Sequence, residues 1–106
     1  MFNRNRNPGR DLASPPEVAG DPQAAEILRA WIANGGLVCS LLPETWKDAS
    51  SWGIVLADVA RHVANAVRDL NGDDPAITVA RIREVFNSEL SDPTDEPTGH
   101  FQGDPV

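Results

Sequence analysis

Apolar residues between Asp48 and Leu70 recur with the period of an α-helix. An advance of about 100° per residue places Trp52, Val55, Leu56, Val59, Val63, Ala66, Val67 and Leu70 on one broad side. Beside them runs a row of small residues, Gly53, Ala57, Ala60 and Ala64, and opposite lies a polar seam of Asp58, His62, Asn65 and Asp69. Asp48 offers an N-cap and Asn71-Gly72 a left-handed stop. The pattern predicts a long central helix. Earlier in the chain, Asp21-Pro22 pairs a cap with proline at the first helical position, and Ala24, Ile27, Leu28, Trp31 and Ile32 follow at helical spacing as far as Asn34-Gly35-Gly36. A first helix is expected over Pro22–Asn34. Asp74-Pro75 repeats the device, and Val79, Ile82, Phe86 and Leu90 predict a third helix ending near Leu90.

Leu37–Leu42 breaks this rhythm. It is short, rich in apolar residues and bounded by Gly36 and Pro43, which suits a strand. Leu37, Cys39 and Leu41 would face one way, and Val38, Ser40 and Leu42 the other. No second strand of comparable quality is evident, so its backbone groups must pair with an irregular arm, the tail or a second copy. The fold class expected is α+β: three helices, with one short strand between the first helix and the long central one. Around this body, residues 1–20 read as an extended or disordered arm, 21–91 as a single globular domain and 92–106 as an acidic, proline-rich tail.

Charge narrows the partners. Sixteen acidic residues against nine basic ones give a formal net charge of −7. Such a surface repels nucleic-acid phosphates and anionic membranes. No apolar run approaches the length of a bilayer span, and MFNRNRNPGR has no apolar segment behind its arginines, so the cytoplasm is the expected compartment. The single cysteine, Cys39, excludes an intrachain disulfide and any cysteine-built metal cage. Its apolar neighbours favour an inert thiol. No cofactor is implied: glycine-rich phosphate loops and nucleophile elbows are absent.

Leu28, Trp31, Gly36-Leu37, Ser40-Leu41, Pro43 and Trp46, followed by Trp52-Gly53, Leu56-Ala57-Asp58 and Ala60 to Ala66, resemble a family of small alpha-proteobacterial proteins defined only as a domain of unknown function. The resemblance covers the body between arm and tail. It implies a bacterial cytosolic protein and brings no activity, cofactor or catalytic residue.

Three candidate sites follow from the residues themselves. Asp58, His62 and Asn65 share one side of the central helix, where a carboxylate could orient an imidazole for proton transfer or begin a metal site. The same pattern also describes the solvated face of any amphipathic helix. Trp31, Trp46 and Trp52 bracket the strand and would either line a pocket for a flat apolar ligand or close the core. Finally, Leu37, Val38, Cys39, Ser40, Leu41 and Leu42 are expected at the axis of a homodimer, where the strand pairs with its own copy. Two functions stay open: a non-catalytic homo-oligomeric binding or accessory module, and a small enzyme or metal-binding protein using Asp58, His62 and Asn65.

Overall fold

The computed structural model describes residues 11–94 and 98–101, which form two compact units. Residues 11–45 with 98–101 make a sheet unit, and residues 46–94 make a helical one. The expectations for residues 1–10, 95–97 and 102–106 lie outside the described residues.

The sheet unit corrects the first expected helix. After a single helical turn, α1 (Pro16–Ala19), the chain runs into strand β1 (Leu28–Ala33) and returns as β2 (Gly36–Leu41). The two are antiparallel, in a register from Leu28 opposite Leu41 to Ala33 opposite Gly36. Asn34 and Gly35 connect them with φ of 55° and 78°. Positive φ at both loop residues is the hairpin turn whose twist matches the strands it joins, and Asn-Gly is its preferred pair. The dipeptide therefore turns a hairpin and does not stop a helix. Asp21-Pro22 is likewise a turn: the Gln23 N–H donates to Asp21 Oδ1 at 2.9 Å and the Ala24 N–H to the Asp21 carbonyl at 3.0 Å. The ladder extends one step further, the Leu42 N–H donating to the Ile27 carbonyl at 3.0 Å.

Strand β3 (Thr98–Phe101), from the tail, lies parallel to β2 on its other edge, so the sheet order among the described residues is β1-β2-β3. The predicted strand exists, but it is central, with two mates from its own chain. The backbone argument for pairing β2 with its copy across an axis therefore lapses, because neither edge is free. Gly99 sits opposite Cys39, and a Cβ at that position would collide with the Cys39 carbonyl oxygen. Glycine is what allows the tail so close to β2.

In the helical unit the expected pattern holds. A single 3₁₀ turn, Ala49–Ser51, leads into α2 (Trp52–Asn71), and Asp48 caps that turn by accepting the Ser50 N–H at 2.9 Å. At the other end Gly72 adopts the left-handed conformation, φ 80°, with its N–H on the Arg68 carbonyl at 2.7 Å. Helix α3 (Pro75–Ser91) begins on Asp74, whose carboxylate accepts the Ala76 N–H at 2.9 Å. Pro75 at the first helical position loses no bond. The short connection turns α3 back along α2, and the two form a helical hairpin. Ala64, from the predicted small row, is the one fully buried side chain among the described residues.

Candidate functional site

The polar seam is where the sequence places it. Asp58, His62 and Asn65 are exposed on α2. Among the described residues they share no hydrogen bond or ion pair, and Asp69 turns instead to its neighbour Arg68, 3.3 Å away. No group of three or more His, Cys, Asp or Glu side chains among the described residues stands close enough to share a metal ion. The tryptophans separate by unit. Trp46 and Trp52 meet edge to face in the helical unit, ring centroids 5.7 Å apart, the offset that aromatic quadrupoles favour. Trp31 belongs to the sheet unit, where the Arg29 guanidinium stands 5.4 Å above its ring. Arg29 is further held by Glu26 at 3.0 Å and Asp11 at 3.5 Å, contacts that are solvent-exposed and individually weak. Leu37 to Leu42 lie on β2 and just beyond it, with Cys39 half-buried and free.

Two features of the helical unit were not singled out as sites from the sequence. The first is a set of large apolar side chains left open on both helices. On α2, Trp52, Leu56, Val59, Val63 and Leu70 fall about a quarter turn from the small row that meets α3 at Ala64. On α3, Val79 and Ile82 are half-buried, and Phe86 and Leu90 further along the helix stay exposed. Leu56, Val59, Val63 and Phe86 are 43–48 % exposed, Leu90 69 % and Leu70 74 %.

The second feature is a cavity of about 370 Å³ between α2 and α3, lined by Arg61, Ala64 and Asn65 from one helix and Pro75, Ala76, Val79, Ala80 and Arg83 from the other. Arg61 and Arg83 stand equally far, eleven residues, before and after Gly72. In a helical hairpin, positions equidistant from the turn face one another, and that symmetry was the available signal.

Hydrogen bonds from the backbone and hydroxyl of Ser50 hold the Asp48 carboxyl below its ordinary range, because they favour the charged acceptor. Among the described residues no helix is long and apolar enough to cross a membrane.

A hairpin-and-tail sheet and a capped helical hairpin together define a small α+β protein. The chain belongs to the family described as domain of unknown function DUF5076, whose model matches residues 11–94. It is also similar to a solved structure described as "a putative pyruvate dehydrogenase from the photosynthetic bacterium Rhodopseudomonas palustrus CGA009". The two are 36% identical, the match covers 84% of this chain and 91% of that one, and the TM-score is 0.67. No curated protein matches the chain.

Proposed function

We propose that the chain is a non-catalytic, homodimeric binding or accessory module of the cytoplasm, its two copies joined through the apolar face of the helical hairpin. The observation that carries this reading is the exposure of Leu56, Val59, Val63 and Leu70 along one side of α2, with Phe86 and Leu90 open on α3. Six large side chains left about half exposed amount to several hundred Å², roughly the largest patch a monomer leaves open and near the ~800 Å² per partner of a stable interface. A second copy fits this face better than a charged partner. On α2 the stripe of Leu56, Val59, Val63 and Leu70 carries no ionised group, so two acidic copies meet there without burying charge. A two-fold axis also makes one patch complementary to itself.

The alternative, an enzyme or metal protein built on Asp58, His62 and Asn65, has no specific observation in its favour. Those groups are exposed and share no hydrogen bond. A pyruvate dehydrogenase activity, the name carried by the Rhodopseudomonas chain, finds no support in glycine-rich phosphate loops or nucleophile elbows, which this sequence lacks. Light scattering behind a sizing column tests the proposal directly. At micromolar concentration the mass should be twice the 11.4 kDa of the chain. A monomer would overturn the reading.

A further inference from the structure

Arg61 and Arg83 line the same cavity between α2 and α3, and the cavity's lining contains no carboxylate. Among the described residues neither arginine has a hydrogen-bond or ion-pair partner. Arg29 has two carboxylates and Arg68 has one, so pairing is available to arginines of this chain where the fold provides it. In a molecule with sixteen acidic residues and nine basic ones, two unpaired cations therefore share one concave surface. Like charges in a common cavity repel, and an anion between them reverses the sign of the interaction.

We propose that this cavity binds a small organic carboxylate. The guanidinium forks of Arg61 and Arg83 match carboxylate geometry, and the Asn65 amide adds a donor or acceptor for a neighbouring oxygen. The helix end does not compete for this role. Asp74 already takes the Ala76 N–H through its side chain and the Ile77 and Thr78 N–H groups through its carbonyl, at 2.9–3.1 Å. The walls decide the class of anion. Ala76, Val79 and Ala80 offer apolar groups to a short carbon chain, which an inorganic anion does not have. On α2, Arg61 and Asn65 point away from the apolar stripe.

The experiment titrates the isotope-labelled full chain with butyrate, succinate and inorganic phosphate at constant ionic strength, following backbone amide shifts. Saturable shifts confined to residues 61–65 and 75–83, with either organic acid and not with phosphate, are expected. Arg61→Gln/Arg83→Gln should weaken that binding about tenfold or more, since each charged hydrogen bond lost is worth roughly that factor, while its thermal midpoint stays near wild type. Ala80→Leu, which fills the wall and keeps both arginines, should weaken it as well. An equal response to phosphate would overturn the proposal, because the site would then read charge alone. So would a response that survives the double arginine variant, or the absence of any saturable shift. Displacement of the acids by a peptide of residues 91–106, at lower concentration than the acids themselves, would equally overturn it in favour of an acidic protein segment. Mass by light scattering on the same samples reports the dimer separately, so failure of one idea is distinguishable from failure of the other.

Discussion

The sheet unit and the helical unit solve opposite halves of the folding problem. In the sheet, β2 is paired on both edges, by β1 across an Asn-Gly turn and by β3 from the tail, so its backbone is satisfied within one chain. The helices satisfy their backbones internally and at the caps on Asp48, Gly72 and Asp74. What they leave unfinished is side-chain burial, for a broad apolar stripe stays open and Ala64 alone is fully buried among the described residues. The contrast moves the case for self-association. It no longer rests on hydrogen bonds missing from a lone strand, but on apolar area uncovered along α2 and α3.

The largest effect should come from reversing that area. Leu56→Asp with Val63→Asp places two carboxylates in the centre of the stripe. Each desolvated charge costs several kcal/mol, of the order of a small domain's whole stability. The double variant should elute as a monomer and melt far below wild type, whereas Arg68→Ala, on the polar side, should keep both mass and midpoint. The counterpart in the sheet is Cys39→Pro. In a central strand every N–H meets one neighbour or the other, and proline removes it. That variant should lose the sheet's slowly exchanging amides yet keep the dimer mass. If it dissociates instead, the strand does lie at the axis and the comparison between units fails.

A smaller effect is expected at the two glycines on which the sheet depends. Gly35, with φ 78°, tolerates a β-branched residue poorly, and Gly35→Val should cost about 1–2 kcal/mol, read as a lower thermal midpoint. Gly99→Ala puts a methyl group against the Cys39 carbonyl and should release β3 without undoing the hairpin. Hydrogen exchange would show it. Amides of residues 38–41 that face β3 should speed up, while those of α2 stay protected.

How legible this was from sequence differs between the units in the same way. The helical unit was readable because its signals are local: Asp48, Asn71-Gly72 and Asp74-Pro75 mark ends through bonds made within a few residues, and the apolar period names the face. The sheet unit was half readable. Leu37–Leu42 announces a strand, but Leu28, Trp31 and Ile32 also fit helical spacing, and Asn34-Gly35 can stop a helix as well as turn the hairpin it forms here. Strand β3 is four residues in an acidic tail, and its pairing depends on Gly99 reaching Cys39 across the whole chain, a contact no local pattern encodes. Of the candidate residues, Asp58, His62 and Asn65 are exposed on α2. Arg83, which lines the same cavity as Arg61 and Asn65, comes near them only once the turn at Gly72 folds α3 back.

The smallest effect expected is a pH dependence at the entrance to α2, and its sign can be worked out. The Asp48 carboxyl is held below its ordinary range, first by the Ser50 backbone N–H and then by the Ser50 hydroxyl. A carboxylate whose folded-state pKa is depressed adds stability above its unfolded pKa and loses it as pH falls through the folded one. Acidification from neutral should therefore erode the midpoint of the helical unit by a small increment below the ordinary carboxylate range. Asp48→Asn keeps an acceptor for the Ser50 N–H and removes the titration. Thermal midpoints measured across the acid range for both proteins should converge as pH falls, because wild type loses the charge that the variant never had. Parallel curves would mean that Asp48 is as readily protonated folded as unfolded, and that the cap contributes through geometry alone.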